Sequence, residues 1–416
     1  KGELVLFCPT CPQPRVNIPS DEDVDLSEWQ YSRTIVMDGN FKAEHMWPRN
    51  SENEVWLMDG MGFMATMPEY KDYLARTLNR TSDCSNHRAV NQANAKRNQL
   101  ASTGIGGCAC AWHGCFVPHV MVDFQKGEQQ VNMDYALAHA VQYGMDPQQR
   151  VITFYDINFQ YSKNLKRQLE ANNFISLPPG LYIQPSIGLW HVHGHKAECF
   201  TQYAPNFIFS VGRVNGEIME TFWSSLNIIS PSAWGMATPH RQELLDFQMN
   251  DNNFLKMVWM PLSLKRKLKK SQEAQISAKE AFLELDMRIL ARLCDKWEKE
   301  EKSALENRDS NVKSMDIFEV QLEKAPTTKS IEMDIISHQL LDGCMCGAAT
   351  WMARVLKAEE SQIILGIDAQ RMHARATETQ RLSFARWQDN LHTQIDWLCK
   401  SVARFLGDDW NDEISD

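Results

Sequence analysis

The 416-residue sequence lacks a long apolar run. No stretch approaches the roughly 18 consecutive apolar residues that a membrane-spanning helix requires, and the first residues show no secretory signal pattern. No internal repeat or low-complexity tract stands out. Hydrophobic residues make up 43% of the chain and 13 residues are tryptophan, which is enough apolar surface to build two or three domains. We therefore expect a globular protein.

The sequence also lacks a surplus of positive charge, with a net charge of −10. Residues 271–416 carry 27 acidic and 18 basic side chains, whereas residues 1–270 carry 26 and 25. The acidity therefore belongs to the C-terminal part. Between the two parts lies a basic cluster, which can neutralise phosphates, act as a nuclear-localisation patch or form a solvated helix face. Its members are Lys265, Arg266, Lys267, Lys269 and Lys270.

The sequence lacks the even number of cysteines that is expected of an extracellular disulfide framework. The chain has 11 cysteines, and several stand beside histidines at spacings that are typical of metal ligands. This usage indicates a reducing compartment and zinc rather than disulfides.

Three short acidic segments are the main chemical signal. Asp38 and Asp156 each follow an apolar, β-branched run, and Glu217 ends the segment GRVNGE at 212–217. A buried strand that ends in aspartate delivers a carboxylate to the edge of a sheet. Three carboxylates brought together can hold Mg²⁺ or Mn²⁺ for phosphodiester chemistry. An isolated aspartate after an apolar run is more often a strand-end or turn residue.

The segments around these carboxylates resemble the KDZ (Kyakuja-Dileera-Zisupton) transposases of fungal genomes. The resemblance runs from Cys8 to about residue 260. It rests on MDGNF at 37–41, CSNH at 84–87, CAWHG at 110–114, DFQKGE at 123–128, NMDYAL at 132–137, YDI at 155–157, HVHGH at 191–195 with Cys199, and GRVNGE at 212–217.

The resemblance implies a DDE-type DNA transposase with an RNase H-like fold. Asp38, Asp156 and Glu217 match the family's catalytic triad and would hold Mg²⁺ or Mn²⁺. DNA, both element ends and target, would be the substrate, in the nucleus. Arg213 is a phosphate-contact candidate, because its guanidinium fork matches phosphate geometry.

The third segment departs from the family pattern. Asn215 stands where the family usually has aspartate, and Glu220 follows Glu217 by three residues. On a helix both glutamates share one face, so either can supply the third carboxylate, with Glu217 fitting the motif better. Two other functions stay open: a catalytically silent, domesticated descendant that binds DNA or protein, and a zinc-stabilised regulatory protein.

Two Cys/His pairs predict a structural zinc site. Cys84 with His87 and Cys110 with His113 offer two thiolates and two imidazoles, which suit tetrahedral zinc. Cys108 and Cys115 are possible substitute ligands. The alternative is a cluster of small buried cysteines. A zinc site here would tie down an insertion at about residues 75–120.

A second zinc site can be assembled from the remaining ligands. If residues 191–199 are helical, the ligands in this segment lie on one face, and a Cys-x2-Cys pair near the N-terminus can complete the set. His191 and His195 can instead contact phosphate or assist at the active site. This possible second set is Cys8, Cys11, His191, His195 and Cys199.

The overall pattern predicts an α/β (α+β) protein in three parts. Residues 1–30 are rich in Pro and Asp, residues 31–260 form the RNase H-like core with its zinc-bearing insertion, and residues 261–416 form an α-helical domain with an acidic tail. Strands are expected within 31–41, 56–66 and 151–155, and helices within 69–78, 131–143, 271–307 and 331–405. The helical domain packs on the core or makes a homodimer.

Overall fold

The structure is a computed structural model. It describes residues 1–19, 24–48, 54–77, 99–170, 172, 174–212, 214, 216–319, 327, 329–331, 333–334, 337, 347–371 and 377–406.

A mixed five-stranded sheet forms the centre of the protein. Seven strands are present in the described residues: β1 (Arg33–Asn40), β2 (His45–Met46), β3 (Leu100–Ser102), β4 (Ile105–Cys110), β5 (Val122–Asp123), β6 (Val151–Phe154) and β7 (Ile183–Ser186). The central sheet has the order β5-β4-β1-β6-β7, and β2 pairs with β3 in a separate ribbon. Strand β1 is antiparallel to β4 and parallel to β6, while β7 is parallel to β6.

Strands β1 and β6, which position Asp38 and Asp156, form the middle of this sheet because their residues are apolar enough to be covered on both faces. All four residues of β6 are buried, as are the first five of β1. The two strands pair with Val36 opposite Phe154. Both strands agree with the sequence prediction. The strand expected within 56–66 is wrong, since this stretch makes only an isolated bridge between Met64 and Met121.

Helices pack against the sheet and continue beyond it. Those of the first compact unit are α1 (Met67–Thr77), α2 (Gln130–Ala140), α3 (Asn158–Glu170), α4 (Leu189–Val192), α5 (Ala197–Tyr203), α6 (Ile218–Ala233), α7 (Thr238–Asp286) and α8 (Ala291–Asn307). Short 3₁₀ turns occupy Trp29–Tyr31, Pro205–Phe207 and Val312–Phe318. The first half of α7 packs on the core, and every residue from 261 to 286 is exposed.

The chain divides into two compact units, Lys1–Glu319 and Val320–Asp416. In the second unit, α9 (Ala348–Arg371) and α10 (Glu378–Leu406) pack through buried Trp351 and Leu398, among others. The indole Nε1 of Trp351 donates a 2.8 Å hydrogen bond to Ser401 Oγ. Helix α7 runs without interruption across residue 261, where the helical domain was expected to begin. None of the helices in the described part of the chain combines the length and apolar character that crossing a membrane requires.

A buried ion pair connects α7 to the edge of the sheet. The Arg241 guanidinium donates to Asp123 Oδ1 at 2.7 Å and to the Ala43 carbonyl at 2.8 Å, and Gln242 Nε2 donates to Asp123 Oδ2 at 3.0 Å. Burial alone would raise the pKa of Asp123, but the Arg241 charge and these hydrogen bonds outweigh burial and lower it. The pair therefore stabilises the fold above the unfolded-state pKa of the carboxyl and loses that effect as pH falls through the folded-state value.

Replacing Arg241 with methionine is expected to reduce the free energy of unfolding by about 3–5 kcal/mol at pH 7, because Asp123 is left charged and buried without its cation. The loss should shrink as the pH is lowered, since the unpaired carboxyl then takes up a proton. Urea titrations of parent and Arg241→Met protein at pH 7 and pH 5 measure both quantities. Equal midpoints at pH 7 would contradict a structural role for the pair.

Candidate active site and metal cluster

The two aspartates meet where β6 ends: Asp156 follows this strand, and Asp38 lies within the neighbouring β1, two residues before its end. The parallel register pairs Val36 of β1 with Phe154 of β6, and two further steps along both strands bring Asp38 level with Asp156. Both side chains line a cleft together with His191, Glu217 and Glu220. The structure therefore brings together the three carboxylates that the sequence singled out.

Asp38 is held in a fixed orientation by two hydrogen-bond donors. Its Oδ1 accepts from the Gly39 backbone N–H at 2.7 Å, and its Oδ2 accepts from the Trp223 indole Nε1 at 2.6 Å. Burial raises the pKa of Asp38 to about 6, with added repulsion from Asp156 and Glu220, although the two donors oppose this rise. A carboxylate in this setting favours a nearby cation.

The third carboxylate stands immediately before α6. Gly216 has φ +81°, and a Cβ there would lie 2.7 Å from the Gly188 Cα, so only glycine allows the two chain segments to approach this closely. This contact places Glu217 beside α4. Its side chain is 12% exposed, compared with 66% for Glu220. Among the described residues, the buried Oε1 of Glu217 finds no hydrogen-bond partner, and a bound cation would satisfy it.

His191 lies between the second and third carboxylates. Its Nδ1 is 3.3 Å from Asp156 Oδ2, and its Nε2 is 2.7 Å from Glu217 Oε2 and 3.5 Å from Glu220 Oε1. The hydrogen bond with Glu217, helped by the other two charges, raises the pKa of His191 to about 9 against the opposing effect of burial. The imidazole is therefore positively charged at neutral pH when no metal is bound.

A fifth carboxylate, Glu128, lies near Asp38. The Tyr155 hydroxyl donates to Glu128 Oε1 at 2.5 Å. Burial and the neighbouring Asp38 charge raise the pKa of Glu128 to about 7, although the Tyr155 hydrogen bond lowers it. Sequence reasoning did not place this residue near the site. The available signal was its position in the segment DFQKGE at 123–128, one of the segments behind the family resemblance.

A separate cluster contains three cysteines and one histidine. The Sγ atoms of Cys11 and Cys110 are 3.1 Å apart, and His113 Nδ1 lies 3.3 Å from Cys110 Sγ and 3.7 Å from Cys11 Sγ. Cys8 completes the group, in which all ligand atoms lie within 4.8 Å of one another. The thiols affect one another: contacts with Cys11, Cys110 and Cys115 lower the pKa of the Cys8 thiol, whereas contacts with Cys110 and Cys8 raise the pKa of the Cys11 thiol. We call this group the zinc knot, because three thiolates and one imidazole suit a closed tetrahedral zinc site.

The zinc knot takes two ligands from each of the two predicted sets. Cys110 lies at the end of core strand β4, not in an insertion, and its antiparallel pairing with Ile35 sets it beside the segment that leads into β1. That segment carries Cys8 and Cys11, which therefore meet Cys110 and His113. Cys84 and His87, the other predicted partners, lie outside the described residues.

The proposed second zinc site is not formed by the residues predicted for it. His191 belongs to α4 and faces the carboxylates, whereas Cys199 belongs to α5. The segment folds as two short helices rather than one, so the four-residue spacing of His191, His195 and Cys199 does not put them on a common face. His195 packs edge-on against Phe159. Cys8 and Cys11 are in the zinc knot.

The zinc knot contacts both long helices of the core. Gly114 has φ +71° and packs so closely on α6 that a Cβ would lie 2.9 Å from Ile218 Cγ1. The Phe116 ring lies 4.4 Å from that of Phe222. On the other side, Met260 of α7 packs against the buried cysteines. The knot therefore supports α6, the helix that carries Trp223 and follows Glu217.

The predicted basic cluster lies on the exposed part of α7. All of its members are solvent-exposed. Lys267 Nζ donates a 2.8 Å hydrogen bond to the carbonyl of Trp112, which anchors the cluster next to the zinc knot. Lys269 Nζ lies 3.9 Å from Oε1 of Glu273, one helical turn later. Arg213 and Asn215 lie outside the described residues.

The fold and the site define an α/β protein with an acidic cleft suited to divalent cations. The family model described as Kyakuja-Dileera-Zisupton transposase matches residues 31–253, more than half of the chain. The chain belongs to the KDZ transposase family, which supports a transposase-related function and DNA as a partner. Searches of curated proteins and of solved structures found no significant match.

Proposed function

We propose that this protein is a DDE-type DNA transposase that nicks DNA and transfers strands with the help of divalent metal ions. The observation that carries the proposal is the convergence of Asp38, Asp156 and Glu217 on one cleft. Membership of the KDZ family agrees with it. The mixed sheet with the two acidic strands adjacent at its centre supports an RNase H-like core within residues 31–260.

The carboxylates fit Mg²⁺ or Mn²⁺ because both ions prefer oxygen donors. Bound ions would supply Lewis-acid activation of the attacking oxygen and stabilisation of the leaving oxygen. The chain itself orients the ligands: Trp223 and Gly39 hold Asp38, and the close contact between Gly216 and Gly188 holds Glu217 at the cleft. Without a cation, Glu217 Oε1 is buried and, within the described residues, unpaired, which is a costly state for a carboxylate.

Other surfaces supply DNA affinity and structural support in this proposal. The exposed cations from Lys265 to Lys270 neutralise phosphates, and Arg213 adds a contact next to the third carboxylate. Zinc in the knot of Cys8, Cys11, Cys110 and His113 is structural. The proposed site of action is the nucleus, where the DNA of a eukaryotic host lies.

The test is cleavage of a labelled duplex that carries candidate element ends. We expect nicking with Mg²⁺ or Mn²⁺ and none with EDTA. The matched variants are Glu217→Gln and Glu220→Gln, the same change three residues apart. Because Glu217 is more buried and more tightly held, its variant should lose at least about tenfold more activity than Glu220→Gln, a difference of about 1.4 kcal/mol in the barrier.

Each alternative gives a different result in this assay. DNA binding without cleavage would favour the catalytically silent descendant. Asn215, which stands where the family usually has aspartate, is the sequence feature that favours this alternative. Cleavage that persists in EDTA or in both variants would come from another site and would contradict the proposal. A larger loss in Glu220→Gln would transfer the role of third carboxylate to Glu220.

A further inference from the structure

We propose that His191 is a metal ligand of the active site, so that the cleft binds its divalent ion through one nitrogen as well as oxygens. The inference rests on the proposed function and adds a residue outside the carboxylate triad. It starts from the geometry around Nε2, which lies 2.7 Å from Glu217 Oε2 and 3.5 Å from Glu220 Oε1.

These distances fit a shared ion. Adjacent ligand atoms on one octahedral Mg²⁺ or Mn²⁺, each bonded at about 2.1 Å, lie about 3 Å apart. The two separations that involve His191 Nε2, 2.7 Å to Glu217 Oε2 and 3.5 Å to Glu220 Oε1, lie on either side of that value. The three groups also have their ligand atoms within 4.8 Å of one another. Among the described residues, the buried Oε1 of Glu217 has no hydrogen-bond partner, which is a second sign that a cation belongs here.

The contact that the other ring nitrogen of His191 makes would hold the imidazole in the orientation that metal binding requires. Its Nδ1 lies 3.3 Å from Asp156 Oδ2, and histidine ligands generally donate the second ring N–H to a carboxylate or a carbonyl. A proton on Nδ1 leaves Nε2 free to bind the metal. His191 therefore lies between Asp156 on one side and Glu217 and Glu220 on the other.

The fold brings His191 to this point through contacts distant in sequence. Strand β7 lies parallel to β6 with Ser186 opposite Phe154, so the chain leaves β7 at the same edge at which Asp156 follows β6. Helix α4 begins three residues later. The close contact between Gly188 and Gly216 then fixes α4 against the segment that bears Glu217.

A nitrogen ligand changes which ions the cleft prefers. Imidazole is a softer donor than carboxylate, and softer donors favour first-row transition ions over Mg²⁺. We expect tighter binding of Mn²⁺ than of Mg²⁺. We also expect that His191→Gln weakens Mn²⁺ binding by roughly 10- to 100-fold, the range measured when residues that support a metal ligand are lost.

The experiment is electron spin-echo envelope modulation of the zinc-loaded full chain with one equivalent of Mn²⁺. A ¹⁴N modulation should appear in the parent protein and vanish in His191→Gln. The control is His193→Gln, the same change two residues away in a side chain that is exposed and stacks on Phe200. It should keep both the modulation and the Mn²⁺ affinity.

The outcomes separate this inference from the function on which it rests. Tight Mn²⁺ binding without ¹⁴N modulation, or modulation that survives in His191→Gln, would overturn the nitrogen ligand. Metal-dependent cleavage would still uphold the proposed function in that case. Failure of the parent protein to bind Mn²⁺ at all would overturn both.

Discussion

Asp38→Asn protein is expected to lose metal-dependent strand cleavage by about 10³-fold or more while keeping its fold. The Lewis-acid contribution of a bound metal amounts to several kcal/mol, and each 1.36 kcal/mol changes the rate by about tenfold. Asparagine has nearly the shape of aspartate, but it cannot offer two anionic oxygens to a cation. The measurement is the single-turnover cleavage rate with saturating Mn²⁺, with circular dichroism as the check on folding.

The matched control is Asp134→Asn on α2. Asp134 is also a buried aspartate, and burial raises the pKa of its carboxyl to about 7, although the neighbouring Tyr161 lowers it. It is not among the described residues that line the cleft. We expect this variant to cleave at a rate close to that of the parent protein. A similar loss in both variants would point to general damage from changing a buried carboxylate and would remove Asp38 from the metal site.

Removing the zinc knot is expected to destabilise the whole first unit. Structural zinc sites bind with about 10–16 kcal/mol in small peptides at pH 7, so Cys110→Ala should lower the free energy of unfolding by at least about 3–5 kcal/mol. The knot joins the N-terminal segment to β4 and supports both α6 and α7. The measurements are zinc content by atomic absorption and thermal unfolding with and without a chelator.

Cys108→Ala is the control for the knot, because Cys108 lies two residues earlier in the same strand and is fully buried in the main core. It should retain one zinc per chain and unfold close to the parent protein. Cys110→Ala should bind no zinc, and its unfolding temperature should no longer respond to the chelator. Retention of stoichiometric zinc in Cys110→Ala would rule out the ligand set proposed for the knot.

The same contacts connect the zinc knot to the cleft. Phe116, just after the knot, packs against Phe222, and the next residue along α6 is Trp223, whose indole donates to Asp38. Loss of zinc is therefore expected to weaken Mn²⁺ binding as well as stability.

Features that depend on neighbouring residues could be predicted from the sequence. β-Branched apolar runs predict strands β1 and β6, and apolar residues at helical spacing predict helices α1 and α2. The same runs located both aspartates: Asp156 follows β6 as expected, whereas β1 continues two residues beyond Asp38 instead of ending there. The family resemblance added Glu217, which the structure places in the same cleft as Asp38 and Asp156.

Partnerships between distant segments could not be predicted in the same way. Spacing along the chain paired Cys110 and His113 with Cys84 and His87, which lie outside the described residues, whereas the structure brings Cys8 and Cys11 to them. Spacing likewise grouped His191 with Cys199, as if the segment formed one helix. The break between α4 and α5 instead directs His191 to the carboxylates.

The sequence by itself determined strands β1 and β6, the aspartates within or just after them and the supply of zinc-type ligands. Only the tertiary structure decided which ligands meet. Strand order and register are set by packing across the whole sheet, and they place Cys110 of β4 beside the segment that precedes β1. The parallel pairing of β6 and β7 likewise brings His191 to Asp156 and Glu217. Residues about 100 positions apart meet in this way because side-chain burial, rather than spacing along the chain, selects the arrangement.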